Sequence, residues 1–128
     1  MKRDMDLIRD LLIAIENDPQ FDGLSKIIPD GSSDFGITDR SDQEVGYHLT
    51  MLIDAGLVDG DLTMDEMPII SKLTWQGHDL LDSIRDSSIW GETKEGAKKA
   101  GGFSLELLSD LAKGLIKKKI EEHTGVQI

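Results

Sequence analysis

The sequence lacks cysteine altogether, and aromatic residues make up only 5% of it. Without cysteine the chain forms neither disulfides nor thiolate metal sites, which is typical of proteins in a reducing cytoplasm. With so few aromatic residues, the core must consist mainly of Leu, Ile, Val and Met. The length of 128 residues suits one compact domain with an appended element. We therefore expect a cytoplasmic protein with an aliphatic core.

Long apolar runs are missing as well. No stretch of about 18 apolar residues occurs, so no transmembrane helix is predicted. The opening residues, MKRDMDLIRD, mix acidic, basic and apolar side chains, whereas a secretion signal needs an uninterrupted apolar stretch after its basic start. We expect neither membrane insertion nor secretion.

Charge is divided unevenly along the chain, whose net charge is -11. Residues 1–90 hold 7 Lys/Arg and 19 Asp/Glu, a balance of -12, whereas residues 91–128 hold 7 Lys and 6 Asp/Glu, a balance of +1. The acidic first part repels a phosphate backbone. The lysines at 117–119 favour a helix C-terminus electrostatically. Contact of these lysines with nucleic acid or an anionic membrane is the less favoured alternative.

Apolar residues recur at helical spacing in several segments. The predicted helices cover residues 4–17, 41–55, 75–86 with Thr74 as its cap, 89–100 and a last helix that Ser104 opens. Ser41 with Glu44 fits a capping box, and Gly56 is a C-terminal stop. Pro19 ends the first helix because it disfavours a helical conformation at the preceding residue.

The strand predictions concern two regions. Residues 18–40 are rich in Gly, Pro, Ser and Asp, and they predict a strand at 34–37 and at most one helical turn around 24–28. Beyond the second helix, Leu57 and Val58 begin a hairpin with a turn at 59–61, residues 62–67 pairing back and a further strand at 69–73. Pro68 indicates an edge strand, because proline cannot donate to a sheet.

The order of these elements predicts an α+β, mainly helical fold. YHLTMLIDAGLV at 47–58 and LTWQG at 73–77 are typical of winged-helix proteins, in which a helix ending in AGLV packs under a two-stranded wing. We therefore predict a winged-helix-like domain at 1–87, made of helix, short strand, helix and β-hairpin wing. Residues 88–128 are predicted to form a C-terminal helical extension for packing or oligomerisation.

Four longer motifs carry a closer resemblance. They are MKRDMDLIR at 1–9, YHLTMLIDAGL at 47–57, LTWQGHDLLDSIRDSSIW at 73–90 and KKAGGFS at 98–104. In these motifs the chain resembles an uncharacterised bacterial and prophage family, domain of unknown function 2513. The resemblance implies a phage-associated, winged-helix-like protein with no established activity and no site residues to transfer. The acidic segment 18–40 departs from the family pattern.

DNA binding is the function that a winged helix first suggests, but the relevant side chains are of the wrong kind. A helix that enters the major groove needs Arg, Lys, Asn or Gln aimed at bases and phosphates. The helix at 41–55 and the wing at 59–71 contain no Lys or Arg. A helix-turn-helix also needs a support helix before the recognition helix, and the turn-rich segment 18–40 predicts none longer than one turn.

Catalytic and metal-binding patterns are absent from the sequence. It contains no GxSxG, HExxH or Gly-rich phosphate loop, and DGDLTMDE at 59–66 does not match a calcium loop. Of the histidines, His48, His78 and His123, His78 has a helical i,i+4 partner in Asp82, a pair that is common on ordinary helix surfaces. We expect no enzyme activity, no metal and no cofactor.

Two groups of apolar residues are candidates for interaction. Trp75 and Trp90 each begin a predicted helix; packing within the protein is favoured for them over anchoring a partner. The last helix carries an apolar stripe of Leu108, Leu111, Leu115 and Ile116. This stripe either folds back onto the protein or pairs with a second copy, and a symmetric homodimer is slightly favoured.

Two function classes remain. The first is a non-enzymatic protein-interaction or accessory module on an acidic winged-helix scaffold. The second is a transcription regulator that binds DNA as an oligomer. The second would need a positive stripe assembled from Lys2, Arg3, Arg9, Arg40, Lys72 and the C-terminal lysines, so the charge over the helix at 41–55 and the wing distinguishes the two.

Overall fold

A computed structural model describes residues 1–102 and 104–125 and shows a mainly helical α+β protein. Its elements are α1 (Met5–Asn17), β1 (Lys26–Ile27), α2 (Gly31–Asp34), α3 (Asp42–Asp54), β2 (Val58–Leu62), β3 (Pro68–Leu73), α4 (Trp75–Ile84), α5 (Ser87–Ala100) and α6 (Leu105–Thr124). The strands form one antiparallel sheet in the order β1-β3-β2. The predicted α+β class is confirmed.

The chain divides into two compact units, Met1–Asp79 and Leu80–Ile128. The first holds the sheet and α1 to α3, and the second holds α5 and α6. The division predicted between residues 87 and 88 stays a prediction. None of the helices in the described part of the chain is both long and apolar enough to cross a membrane.

Helices α1 and α3 begin where their capping residues predict. The Asp4 carboxylate accepts hydrogen bonds from the backbone N–H groups of Asp6 and Leu7, which caps α1. Ser41 and Glu44 form the predicted capping box at the start of α3. Gly56 follows α3 with a φ of 74°, which favours glycine. The apolar sides of both helices are buried, and α1 packs against α3 and β3.

The predictions for the segment 18–40 place its elements wrongly. Residues 26–27 form β1 because they pair with Ile70 and Ile69 of β3, and the one helical turn lies at Gly31–Asp34 rather than around 24–28. The strand expected at 34–37 is instead the end of the helical turn α2. Asp and Ser side chains explain this turn, since they offer the backbone local hydrogen bonds: the Asp30 N–H donates to Asp34, and the Ser32 N–H donates to Asp42.

The turn predicted at 59–61 is wrong as well. Asp59, Gly60 and Asp61 lie within β2, with a bulge between Asp59 and Gly60. The chain reverses instead between Thr63 and Met67, whose backbones are hydrogen-bonded at 2.8 Å. Gly60 serves close packing rather than a turn, because a Cβ there would lie 2.3 Å from the carbonyl oxygen of Ile69.

The expectation that Pro68 marks an edge strand is also wrong. It is the first residue of β3, the central strand. Proline is tolerated at that position, since the first residue of a strand need not donate to the sheet. Its carbonyl oxygen accepts a hydrogen bond from the Ile28 N–H at 2.8 Å.

The helices of the second unit are capped at both ends. Asp86 accepts from the Ile89 N–H and starts α5 at Ser87, two residues before the predicted start. Gly101, with a φ of 90°, ends α5, and the Ser104 side chain caps α6. Helices α5 and α6 pack against each other.

Candidate protein-interaction surface

One segment of the first unit carries exposed carboxylates and no cations of its own, although Lys72, the sheet partner of Asp59, lies at its edge. Residues 42–71 include no Lys or Arg, and they supply the exposed surfaces of α3, of β2 and of the hairpin connection. We call these surfaces the acidic face. Its exposed carboxylates belong to Asp42, Asp54, Asp59, Asp61, Asp65 and Glu66. Such a face attracts cations and repels phosphate.

Exposed apolar side chains lie next to these carboxylates. In the sheet, Ile27 pairs with Ile69, and Ile69 pairs with Asp61, so the three share one side of the sheet. That side faces away from the core, since Ile70, the neighbour of Ile69 in β3, is fully buried. Ile27 is 58% exposed, and Met64 and Met67 are exposed at the hairpin connection. We call Ile27, Ile69, Met64 and Met67 the apolar strip.

Asp42 joins α2 to α3 at one end of the acidic face. Its carboxylate accepts hydrogen bonds from the hydroxyl and the backbone N–H of Ser32. The hydrogen bond from the Ser32 hydroxyl, followed by that from its N–H, lowers the pKa of Asp42. The carboxylate is therefore ionised at neutral pH, and it adds to the negative charge of this face.

Arg40, which lies just before α3, is already held by carboxylates. Its guanidinium contacts Asp4 through Nη2 at 2.6 Å and Nε at 3.2 Å, and Asp39 through Nη1 at 2.9 Å. These contacts occupy the fork that would otherwise bind a phosphate. A positive stripe for DNA binding would therefore have to form without Arg40.

The contact between Asp4 and Arg40 makes the folding stability of the protein depend on pH. Burial alone would raise the pKa of Asp4, but hydrogen bonds from Arg40 and the Leu7 N–H outweigh it, so the pKa is lowered in the folded state. This stabilisation is present above the unfolded pKa of about 3.8, and it is lost as pH falls through the lower folded value.

We expect Asp4→Ala to destabilise the protein by about 1–2 kcal/mol at neutral pH, since both the cap and the ion pair are lost. Asp4→Asn should cost less because asparagine also caps helices. Urea unfolding at pH 7 and near pH 3 measures both variants. The stability advantage of the wild type over Asp4→Asn should be smaller near pH 3 than at pH 7. An unchanged difference between the two would show that the Asp4 carboxylate does not titrate as described.

The three histidines do not converge. His48 is 1% exposed; its Nε2 accepts from the Asp4 N–H at 2.8 Å, and its Nδ1 lies 2.7 Å from the Glu44 carbonyl oxygen. His78 is half exposed with its Nδ1 3.7 Å from a Glu16 carboxylate oxygen, and Asp82 accepts a hydrogen bond from Arg85. His123 is exposed near the end of α6. Within residues 1–102 and 104–125, no three His, Asp or Glu side chains are arranged to hold a metal ion.

The two tryptophans have opposite environments. Trp75 is 80% exposed, so the favoured interpretation that it packs within the protein is wrong for this residue. The reason lies in α4: Thr74 caps the helix by accepting from the Gly77 N–H, and the buried positions of α4 are Gly77, Leu80, Leu81 and Ile84 together with Ser83. Trp90 is 4% exposed, and Lys94 lies over its ring. A role as partner anchor stays a prediction for both.

The predicted stripe on α6 is covered along only part of the helix. Leu108 is fully buried, whereas Leu111, Leu115 and Ile116 are half-buried. Leu111 lies beside Gly96 of α5, where a Cβ would be 3.5 Å from its Cδ1. The structure therefore places all four predicted residues on one helix of the second unit, and their role in oligomerisation stays a prediction.

The sequence alone did not predict the apolar strip. Residues 67–70 read MPII, an uninterrupted apolar run. Because successive residues of a strand face opposite sides, such a run indicates that apolar side chains lie on both sides of the sheet. The sequence could not show that Ile27 joins them, since that contact depends on a pairing across 42 residues (Ile27 with Ile69).

Comparison with known proteins gives two matches and one negative result. The family model described as "Hypothetical protein (DUF2513)" matches residues 2–104. A Haemophilus influenzae (strain Rd) protein described as "Uncharacterized protein" is 36% identical over 120 residues, which is 91% of this chain and 96% of that protein. No solved structure matches the chain significantly. The chain belongs to the domain of unknown function 2513 family.

Proposed function

We propose that the protein is a cytoplasmic, non-enzymatic interaction or accessory module whose acidic face binds a partner protein. The partner segment would present basic side chains beside apolar ones, since these match the carboxylates and the apolar strip. The association with a phage or prophage comes from the family resemblance alone and is part of this proposal.

The scaffold of the proposal is a winged-helix-like unit. Its elements run α1, β1, α2, α3, β2, β3, and β3 lies between the other strands. This is the order of a winged helix, in which α3 would be the recognition helix and the β2–β3 hairpin the wing. The support helix α2 is only four residues long, although it packs against α3. A support helix this short is consistent with a scaffold whose α3 does not enter a DNA groove.

The observation that carries the proposal is the charge of the acidic face. A winged helix that reads DNA needs cations on its recognition helix and wing, because phosphate contacts supply most of the affinity. Here both elements expose carboxylates, and the hairpin connection also exposes the apolar side chains of Met64 and Met67. Protein interfaces combine an apolar centre with a polar rim in this way, and complementary charge speeds association and selects the partner.

A model peptide tests the proposal. A helical peptide of leucine and lysine should bind the full chain, whereas its leucine and glutamate counterpart should not, as measured by isothermal titration calorimetry. Replacing Asp61, Asp65 and Glu66 by their amides should weaken binding roughly tenfold, at about 0.5 kcal/mol for each rim charge.

The matched control removes three carboxylates from the second unit: Glu95→Gln, Glu106→Gln and Asp110→Asn. It changes the net charge equally, so it should leave binding close to that of the wild type. Equal losses in the two triple variants would mean that the peptide senses only net charge, and the acidic face would then have no special role.

The alternative function, a transcription regulator that binds DNA as an oligomer, is favoured by the order of the elements and by Lys72, which is exposed at the end of β3. A gel shift at low salt with phage or host promoter fragments tests it. Specific retardation at sub-micromolar protein, lost in Lys72→Gln, would favour the regulator over the interaction module.

A further inference from the structure

The connection between β2 and β3 is a tight, hydrogen-bonded turn. The Thr63 N–H donates to the Met67 carbonyl oxygen at 2.8 Å, the Glu66 N–H donates to the Thr63 carbonyl oxygen at 2.9 Å, and the Met67 N–H donates to the Thr63 hydroxyl at 3.0 Å. Glu66 has a φ of 63°, the left-handed conformation that closes three-residue hairpin loops. The turn therefore fixes residues 64–66 at the outer end of the hairpin.

The methionines of the chain differ widely in exposure. Met64 is 103% exposed, so its side chain lies in solvent as fully as in an extended peptide. Met67 is 37% exposed, and Met5, which lies in the core on α1, is 7% exposed. A methionine sulfur is oxidised to the sulfoxide more readily the more freely an oxidant reaches it. Met64 is thus the accessible thioether of the hairpin, and Met5 is a reference that the fold protects.

The charge around the turn selects the kind of oxidant. Asp65 and Glu66 follow Met64 directly, and both are exposed. Carboxylates repel an anionic oxidant but not an uncharged one such as hydrogen peroxide. The Met64 sulfur attacks one peroxide oxygen, so an S–O bond forms as the O–O bond breaks. The second oxygen leaves as hydroxide and takes the remaining proton of the first to become water, and two electrons pass from the sulfur to the peroxide.

We propose that Met64 is a site of reversible oxidation by peroxide, with Met67 oxidised more slowly, and that the sulfoxide weakens the binding of the partner. These two methionines are half of the apolar strip. A sulfoxide oxygen accepts hydrogen bonds from water, and covering it with an apolar partner surface costs free energy. Methionine sulfoxide reductases restore the thioether, since two thiols become a disulfide while the oxygen leaves as water. The inference rests on the proposed function, because it concerns regulation of the same surface.

Peptide mapping by mass spectrometry after mild hydrogen peroxide treatment of the full chain tests the modification. Met64 should be oxidised roughly tenfold faster than Met5, with Met67 in between, because the rate follows exposure. Circular dichroism should show an intact fold, since the Met64 side chain lies in solvent. Oxidation of Met64 that is no faster than that of Met5 would overturn the proposal.

Calorimetry with the leucine and lysine peptide tests the effect on binding, because that peptide contains no methionine. The oxidised wild type should bind roughly fivefold more weakly than the untreated protein, since sulfoxides replace apolar contacts. Treatment with both classes of methionine sulfoxide reductase should restore the binding. M64L/M67L is the matched control: it should bind equally before and after peroxide, although it keeps the exposed Met1 and the half-buried Met51.

The outcomes separate this regulation from the proposed function. A wild type that binds the peptide equally well before and after oxidation would overturn the regulation, and so would a loss of binding by M64L/M67L on peroxide treatment. If the untreated chain does not bind the peptide at all, the proposed function fails and the regulation fails with it. The assignment of Met64 as the oxidised site is then still decided by the peptide map.

Discussion

Gly77→Ala is expected to destabilise the protein by about 3 kcal/mol, the upper end of the cost of overpacking. A Cβ at this position would lie 2.0 Å from the carbonyl oxygen of Leu57. The contact cannot be relieved by a side-chain rotation because the opposing atom belongs to the backbone. That carbonyl oxygen also accepts the Thr74 N–H at 3.0 Å, so its position is held. The close approach explains the glycine in LTWQG at 73–77.

Urea unfolding followed by circular dichroism measures this effect, with Gly46→Ala as the control. Gly46 lies within α3, and a Cβ there would meet no atom within 4 Å. Alanine at that site should be neutral or stabilise by up to about 1 kcal/mol, because it favours helix. If Gly77→Ala and Gly46→Ala unfold at the same urea concentration, the start of α4 does not pack against Leu57 as described.

His48→Ala is the second substitution with a large expected effect, also about 3 kcal/mol. His48 lies on α3 and accepts the Asp4 N–H with Nε2, so the hydrogen of the imidazole lies on Nδ1 and is donated to the Glu44 carbonyl oxygen. The side chain thus holds the start of α1 against α3. The alanine variant loses the packed volume and leaves the Asp4 N–H without its acceptor.

His48→Phe separates these two causes. Phenylalanine retains a buried ring but accepts no hydrogen bond, so it should still cost about 2 kcal/mol, the price of an unsatisfied buried donor. Thermal or urea unfolding of both variants measures the difference. A phenylalanine variant as stable as the wild type would mean that His48 contributes by volume alone.

Local signals predicted much of this fold. Ser41 and Ser104 cap helices as expected, and Gly56 follows α3 with a positive φ. These features depend on a few neighbouring residues, so a single sequence contains them. The predictions failed where long-range pairing decides. Residues 59–61, Asp-Gly-Asp, are of the types that favour turns. They nevertheless belong to β2, because β2 pairs with β3 from Val58 to Leu62.

The candidate surface was predicted in part. The charge of α3 and of the hairpin follows directly from the sequence. The apolar strip does not, because it depends on the register of β1 against β3. Trp75 shows the same limit: its position at the start of α4 was predicted, but its exposure depends on which side of that helix is buried. The charge of the candidate surface therefore follows from its residue types, whereas the position of its apolar side chains follows from the pairing of the strands.

Mapping of the leucine and lysine peptide by ¹H–¹⁵N chemical shifts tests the central claim most directly. The acidic face and the apolar strip should account for the shifted amides, which lie in α3, in β1 and between Val58 and Leu73. Amides of α5 and of α6 up to residue 114 should stay unchanged. Shifts concentrated on those helices, or no saturable shifts at all, would contradict the assignment of the acidic face as the interaction surface.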